Sequence, residues 1–245
     1  MHRFYVPGFV ESGQVQLPDD EAQHLTRVLR LKTDDVIAIF DGQGREALAR
    51  VESVASRRVT VAIVEPRSPA PEPTVRVTLA QALLKSDKMD RVIRDAVMLG
   101  VSAVQPLVSR RTDVPRAALK TGVRHRRWDR TVISSVKQCG RAVVPPVLET
   151  RDLGEVLAKM TGPRFMFVEP ANAGKAIVAD LASLDRQRPS EAGVLIGPEG
   201  GWDPEEVDEA AALGVTLVTF GSRVLRADAA GAAAVTVLRY IWRDL

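Results

Sequence analysis

Residues 195–210 read LIGPEGGWDPEEVDEA, an apolar stretch that runs through glycine and proline directly into an acidic segment. Asp203 is suited to be a helix N-cap, with Pro204 at the first helical position and Glu206 at the third, the pattern of a capping box. The carboxylates from Asp203 onward are therefore explained by helix initiation. Glu199 precedes the helix, in a loop with three glycines, and is not explained by helix capping.

The same strand-to-helix pattern recurs outward from this stretch through residues 75–245. Apolar runs of strand length alternate with segments of helical periodicity, which indicates an α/β fold with a mostly parallel sheet. Strands are predicted at 75–83, 103–108, 164–170, 192–196 and 215–220, and helices at 87–100, 126–140, 174–184, 203–213 and from 227 to the C-terminus.

The first 70 residues have a different character. Short β-like stretches at 3–6, 35–44 and 59–66 flank one predicted helix at 18–31, and Asp41-Gly42 is a hairpin signal. Four prolines within 65–75 favour an extended connector. The sequence therefore predicts a small β-barrel with one helix, followed by a domain boundary in the proline-rich segment.

Composition bounds the function of this 245-residue chain. Its longest apolar run, at 229–238, is far shorter than the roughly 20 residues of a membrane span, and the first residues lack the apolar core of a secretory leader. With one cysteine and three scattered histidines, neither a disulfide framework nor a metal cluster is expected. We expect a cytoplasmic protein that uses no metal.

Positive charge is concentrated in the middle of the chain. Residues 73–150 hold 15 lysines and arginines against 6 acidic residues, whereas residues 1–72 and 151–245 carry net charges of −2 and −4. Such clustering is typical of a surface that binds a polyanion, and nucleic acid is the expected one. The alternative is a solvated basic face. Trp128, within this region, is interpreted as a core anchor on an amphipathic helix rather than a base-stacking platform.

Three of the predicted strands end in loops of similar kind, FVEP at 167–170, IGPEGG at 196–201 and FGSRVLRAD at 220–228. Ligands of open α/β sheets lie beyond the carboxyl ends of the strands, so these loops are expected to form one pocket. The chain has no P-loop or dinucleotide motif, and Glu199 would repel a phosphate. An adenosine joined to a cationic group fits better, and S-adenosylmethionine is the common cofactor of that kind. Arg226 is suited to stabilise charge on a nucleobase or to hold a phosphate.

The chain resembles the RsmE-type bacterial 16S ribosomal RNA uridine N3-methyltransferases of the SPOUT superfamily along nearly its whole length. The resemblance is carried by RFYV at 3, HLTRVLRL at 24, DG at 41, QALLKSDKMDRVI at 81, RW at 127, VPP at 144, IGPEGG at 196 and LRADAAG at 225. It implies a PUA-like RNA-binding β-barrel domain at 1–70 and a trefoil-knotted SPOUT methyltransferase domain at 74–245. It also implies a homodimer that methylates uridine 1498 of 16S rRNA in the 30S subunit.

The resemblance also assigns residues. It implies S-adenosylmethionine contacts from the three loops, at Val168, Glu169, Ile196, Gly197, Pro198, Glu199, Gly200, Gly201, Phe220, Gly221, Ser222, Val224, Leu225 and Arg226. RNA contacts are expected at Arg3, His24, Arg27, Arg30, Arg110, Arg111, Arg127, Lys137, Gln138 and Arg141. The chain departs from the family pattern at Met98, Ser222 and Ala227, so no role of a threonine hydroxyl at position 227 carries over.

The predicted mechanism is direct transfer of a methyl group to uridine N3, with the pocket orienting the reactants. Asp228 or Glu199 would accept the N3 proton while Arg226 stabilises the charge on the uracil, and the sequence leaves the choice of acceptor open. Other functions compatible with the sequence are a SPOUT enzyme acting on ribose O2′ or guanosine, and a non-catalytic RNA-binding assembly factor. A phosphate-binding α/β protein fits least, for want of a suitable loop.

Overall fold

The computed structural model describes residues 1–10, 12–55, 58–114, 122–169, 178–181, 184 and 187–245. The chain forms two compact units. The N-terminal unit comprises Met1–Glu72 and Ile133–Val144, and the C-terminal unit comprises Pro73–Val132 and Pro145–Leu245. Within the described residues, no helix combines the length and apolar character needed to cross a membrane.

The N-terminal unit contains a five-stranded sheet of order β1-β3-β4-β5-β2. The first pair, β1 with β3, is parallel, and the other pairs are antiparallel. The strands are β1 (Arg3–Tyr5), β2 (Gln14–Gln16), β3 (Val36–Phe40), β4 (Glu46–Ala55) and β5 (Arg58–Arg67). The three predicted stretches are confirmed as β1, β3 and β5, whereas β2 and β4 were not predicted.

The predicted helix of this unit begins as α1 (Asp19–Gln23) and continues as a π-helical segment, His24–Leu29. The segment ends at Arg30, which takes a left-handed conformation with φ of 55°. Leu25 is fully buried in the same hydrophobic cluster as Phe4, while Val28 is 65% exposed. The apolar periodicity therefore predicted a helix correctly, but the wider turn rotates Val28 out to solvent.

The C-terminal unit contains a seven-stranded parallel sheet, which confirms the predicted α/β architecture. Its order is β10-β12-β9-β11-β6-β7-β8. The strands are β6 (Arg76–Ala82), β7 (Ala103–Val108), β8 (Arg151–Asp152), β9 (Arg164–Phe167), β10 (Val178–Asp180), β11 (Glu191–Ile196) and β12 (Thr216–Thr219). Strand β11 lies between β6 and β9, so segments distant in sequence form the middle of the sheet.

Among the described residues beyond Glu72 there are five helices, four of which were predicted; the third of them, at Gly122–Cys139, has its last residues, from Ile133, in the N-terminal unit. They are α2 (Lys88–Met98), α3 (Gly122–Cys139), α4 (Leu153–Lys159), α5 (Pro204–Ala212) and α6 (Ala227–Trp242). Helix α4 was not predicted. The helix predicted at 174–184 is wrong where the structure describes it, because Val178–Asp180 forms β10 beside β12; residues 174–177 and 182–183 lie outside the described residues.

Two features lock α6 onto this unit. Gly231 faces β6 so closely that a Cβ there would lie 3.3 Å from Leu79 Cδ2, and only glycine allows this approach without displacement. Arg239, 1% exposed, donates to the carbonyls of Leu99 and Gly100 and pairs with Asp244 at 2.8 Å.

Trp128 is likewise buried, at 4% exposure, which confirms its interpretation as a core residue.

Candidate active site

The loops that follow β9, β11 and β12 line one cavity of about 460 Å³, together with the first turn of α6. The register brings the strand ends together, because Ile196 of β11 pairs with Phe167 of β9, and Phe167 pairs with Val218 of β12. The structure therefore confirms the prediction that the three loops form one pocket. Eleven of the fourteen predicted cofactor residues line the cavity, namely Val168, Glu169, Ile196, Gly197, Pro198, Glu199, Gly201, Phe220, Val224, Leu225 and Arg226.

The other three predicted cofactor residues lie beside the cavity without lining it. Gly200 faces Arg111, where a Cβ would lie 3.3 Å from the arginine Cβ. Gly221 turns the chain after β12 with φ of 81°, and Ser222 follows it. The cavity adds residues that were not assigned to cofactor contact, namely Lys88, Phe167, Trp202, Arg223, Ala227, Asp228 and Ala230.

Trp202 holds the GPEGG loop against the sheet. Its indole Nε1 donates to the carbonyl of Phe167 at 3.0 Å, and the residue is 2% exposed. A Cβ on Gly197 would lie 3.3 Å from this ring, and Gly201, with φ of 68°, closes a turn by donating to the carbonyl of Pro198. The glycines thus serve close packing and a left-handed turn, which leaves the backbone of the loop facing the cavity.

Gln81, at the end of β6, supports the loop from the other side. Its Nε2 donates to the carbonyl of Gly197 at 3.2 Å, and the residue is fully buried. Its Oε1 has no hydrogen-bond partner among the described residues. The side-chain amide of Gln81 therefore holds the backbone of Gly197 in place next to the end of β6.

The acidic residues after the loop have the predicted structural role. Asp203 is the N-cap of α5 and Glu206 completes a capping box. Arg110 pairs with Glu205 and Glu209 of the same helix, while Arg111 donates to the carbonyl of Gly200 at 3.2 Å. The hydrogen bond that Arg110 donates to Glu205 raises the pKa of Arg110 above its ordinary value. The capping interpretation is confirmed.

Glu199 is held by two donors, one from the loop after β6 and one from the first turn of α2. Lys88 Nζ lies 2.8 Å from Oε1, and the backbone N–H of Lys85 lies 3.3 Å from the same oxygen. Burial alone would raise the pKa of Glu199, but these hydrogen bonds and the charge of Lys88 lower it below its ordinary value. Glu199 is therefore an ion-paired carboxylate that binds a proton weakly.

Arg226 and Asp228 form a second ion pair at the cavity. Arg226 is the N-cap residue of α6, and its Nε and an Nη lie 2.9 and 3.0 Å from the two carboxylate oxygens of Asp228. The hydrogen bonds from Arg226 lower the pKa of Asp228, and the positive charge of Lys88 contributes to the same shift. The Asp228 side chain is 10% exposed and that of Arg226 is 72% exposed, so the arginine is the partner free to turn toward a ligand.

The predicted RNA contacts divide into exposed and internally paired residues. Arg3 bonds to Glu46 and to the carbonyls of Val136 and Arg141, and Arg141 pairs with Glu72. Both guanidinium groups hold the N-terminal unit together, which weighs against RNA contact by Arg3 and Arg141. Lys137 pairs with Glu21 in the same way, at 2.7 Å.

The remaining predicted RNA contacts lie at the surface. Arg27 and Arg30 are exposed and His24 is half-buried, all on or beside the π-helical segment. Gln138 is exposed on α3, and Arg127, on the same helix, is exposed and paired with Asp90 of α2. Arg110 and Arg111 are exposed beside α5. Among the described residues, no group of three or more histidine, cysteine or acidic side chains is placed to hold a metal ion.

Comparison with known proteins identifies the family. The RNA methyltransferase domain profile matches residues 70–239, and the RNA methyltransferase PUA domain profile matches residues 17–64. The ribosomal RNA small subunit methyltransferase E of Mycobacterium bovis is 32% identical over 95% of this chain and 88% of its own length. The chain belongs to the ribosomal RNA small subunit methyltransferase E family.

Further members of this methyltransferase E family match along the whole chain. That of Rickettsia conorii is 27% identical over 98% of this chain and 96% of its own length. The solved structure of the Neisseria gonorrhoeae member, bound to S-adenosyl methionine, superposes with a TM-score of 0.88 at 33% identity. It covers 99% of this chain and 98% of that one, so the resemblance found in the sequence is confirmed and includes both units.

Proposed function

We propose that this protein transfers a methyl group from S-adenosylmethionine to N3 of a uridine in 16S rRNA, at the position numbered 1498 in bacterial small subunits. The observation that carries the proposal is the cavity formed by the loops after β9, β11 and β12, in a chain of the methyltransferase E family. The relative from Neisseria gonorrhoeae was solved with this cofactor bound.

The residues of the cavity fit an adenosyl sulfonium. The volume of about 460 Å³ lies within the range of small-molecule sites. Phe167 and Phe220 stack with ring centroids 4.7 Å apart and provide an apolar wall, and Glu169 adds an acidic side chain to the lining. S-adenosylmethionine, when bound, supplies a methyl group on a positively charged sulfur. The fourteen residues assigned to the three loops are proposed as its contacts.

The proposed architecture follows the family. Residues 1–70 form a PUA-like RNA-binding barrel, and residues 74–245 form a SPOUT domain whose chain is tied in a trefoil knot. We propose a homodimer as the active form, with the 30S subunit or its 16S rRNA as the partner. The seven-stranded parallel sheet and the PUA domain match support this assignment.

RNA binding is proposed for the exposed basic residues. Arg27 on the π-helical segment and Arg30 directly after it, with His24 at the start of the segment, would contact phosphates through charge-assisted hydrogen bonds. Arg110, Arg111, Arg127 and Gln138 are proposed as further contacts. For Arg3, Lys137 and Arg141, the internal ion pairs favour a structural role.

In the proposed reaction, the N3 proton passes to Asp228 directly or through water. Glu199 is the alternative acceptor, but Lys88 and the Lys85 amide already occupy one of its oxygens. The partner of Asp228 is the exposed Arg226, which is free to turn to a carbonyl oxygen of the uracil as negative charge develops there. The carboxylate is thereby released to accept the proton.

Purified protein incubated with labelled S-adenosylmethionine and 30S subunits lacking the modification tests this proposal. We expect label in 16S rRNA, and nucleoside analysis should identify it as 3-methyluridine. Label at a ribose oxygen or in guanosine would assign a different SPOUT activity. Absence of both transfer and cofactor binding would indicate a non-catalytic RNA-binding protein.

A further inference from the structure

Lys88 is a cation of the cavity to which sequence motifs assigned no role. It lies in the first turn of α2, lines the cavity and places its ammonium 2.8 Å from Glu199 Oε1. An ammonium carries three N–H donors, and Glu199 is its one hydrogen-bond acceptor among the described residues. Lys88 therefore has donors available for a ligand while its position is fixed by a carboxylate.

The backbone before Lys88 is strained in a way that serves this contact. Ser86 takes a left-handed conformation with φ of 58°, which a non-glycine residue adopts at a cost. The turn through Ser86 brings the Lys85 amide and the Lys88 ammonium to the same oxygen of Glu199. Strain of this kind concentrates at functional sites, where neighbouring contacts maintain it.

The charged groups around Lys88 form an ordered pattern. Asp228 receives two hydrogen bonds from Arg226, and Lys88 lines the same cavity from α2. The charge of Lys88 is close enough to contribute to the lowered pKa of Asp228. The cavity thus presents an acceptor, Asp228, accompanied by two donors, Lys88 and Arg226, that come from different helices.

Uracil presents the complementary pattern. Its imide edge carries an acceptor at O2, a donor at N3–H and an acceptor at O4, and bases displayed from single-stranded RNA are read on this edge. When N3 loses its proton, the negative charge spreads onto both oxygens. Cytosine carries an acceptor in place of the N3–H donor, so a carboxylate facing it would be repelled.

We propose that Lys88, positioned by Glu199, is a catalytic and specificity residue that donates to one carbonyl oxygen of the target uracil, while Arg226 serves the other and Asp228 faces N3. This inference rests on the proposed function. In the transfer step the N3–H proton goes to Asp228. The N3 lone pair then forms the bond to the methyl carbon, and the pair of the broken carbon–sulfur bond stays on sulfur.

The test compares Lys88→Met, Lys88→Arg and Glu199→Gln with Arg94→Met, which removes one positive charge from the exposed face of the same helix. Methyl transfer to 30S subunits is measured under single-turnover conditions, and the affinity for S-adenosylmethionine is measured by calorimetry. We expect Lys88→Met to lower the rate about 100-fold with cofactor affinity unchanged, Lys88→Arg to recover part of it, and Arg94→Met to match the wild type.

The pH profile separates catalysis from a structural role. The charged groups lining the cavity with Lys88 are Glu169, Glu199, Arg223, Arg226 and Asp228, and all remain in the Lys88→Met variant. Because Lys88 stabilises the ionised uracil, its loss should move the acid limb of the rate profile to higher pH and shrink the deficit in alkaline solution. A structural effect would lower the rate equally at every pH.

A double variant tests the part assigned to Glu199. At saturating S-adenosylmethionine, where a cofactor contact of Glu199 does not limit the rate, Lys88→Met combined with Glu199→Gln should be no slower than Lys88→Met alone if Glu199 acts through Lys88. Additive losses would overturn the positioning role of Glu199. An unchanged rate in Lys88→Met, or a loss of cofactor affinity that accounts for its slower rate, would overturn the role of Lys88. If the wild type itself methylates no uridine, the proposed function fails instead.

Discussion

Arg226 and Asp228 form a two-pronged ion pair across the first turn of α6, with the arginine largely exposed and the aspartate nearly buried. The pair therefore combines an exposed guanidinium, which has room to move, with a carboxylate that is held in place. In the proposed reaction, an incoming uracil that attracts the guanidinium would uncover the carboxylate at the same moment and so couple charge stabilisation to proton acceptance. This coupling predicts how the two candidate proton acceptors differ.

We expect Asp228→Asn to reduce methyl transfer by about 10²- to 10⁴-fold, because an amide cannot accept the N3 proton. Because hydrogen bonds from Arg226 keep the pKa of Asp228 below its ordinary 3.8, protonation of Asp228 should not limit the wild-type rate near neutral pH. Single-turnover rates, with cofactor affinity measured separately, check this. Full activity in both Asp228→Asn and Glu199→Gln would eliminate these two carboxylates as the proton acceptor.

The anchor of the GPEGG loop can be tested through Trp202. Replacing it by phenylalanine removes the hydrogen bond to the Phe167 carbonyl and should cost about 1–3 kcal/mol of stability. Since Phe167 and Gly197 both line the cavity, affinity for S-adenosylmethionine should fall as well. The matched control is Trp128→Phe, a buried tryptophan away from the cavity. The prediction fails if calorimetry gives both variants wild-type cofactor affinity.

Arg30 has an unfavourable, left-handed backbone conformation and an exposed, positively charged side chain. Because glycine adopts its left-handed conformation freely, Arg30→Gly should raise the free energy of unfolding by up to about 1 kcal/mol. Arg30→Ala removes the side chain without relieving the backbone, so it should give no such gain.

Both variants should weaken RNA binding, and by the same amount. A lost phosphate contact reduces the slope of log affinity against log salt by about 1. Filter binding to a 16S rRNA fragment at several salt concentrations measures the slope. Unchanged slopes would show that Arg30 contacts no phosphate.

Asp244 stabilises the C-terminal unit through a buried network. It accepts hydrogen bonds from Thr74 and Val75 and pairs with buried Arg239, so Asp244→Ala should cost about 3–5 kcal/mol by removing a carboxylate that balances a buried positive charge. Leu245→Ala, at a residue 77% exposed, is the control and should change nothing. Urea unfolding measures both.

The stabilisation that Asp244 provides should depend on pH in one direction. Burial alone would raise the pKa of Asp244, but hydrogen bonds from Thr74 and Val75 and the charge of Arg239 lower it below 3.8. Its contribution to stability is therefore complete above pH 3.8 and is lost as the pH falls through the folded value. The difference in free energy of unfolding between the wild type and Asp244→Ala should become smaller only in acid. A difference that became larger in acid would contradict the assignment.

What the sequence predicted was local. The capping box of α5 needs only residues 203–206, and the three cavity loops each follow an apolar strand. The pairing of Lys88 with Glu199 spans 111 residues and depends on how β6 and β11 lie side by side, which periodicity does not encode. The small β10, predicted as part of a helix, pairs in parallel with β12, a contact about 40 residues away along the chain that the local pattern does not reveal.

The most direct test of the central claim is primer extension across position 1498 of 16S rRNA from cells that lack this protein. A methyl group on N3 blocks base pairing, so reverse transcriptase stops at the modified uridine in wild-type RNA. We predict that the stop disappears in the deletion strain and returns when the wild-type protein, but not Asp228→Asn, is supplied. A stop that persists in the deletion strain would contradict the proposed function.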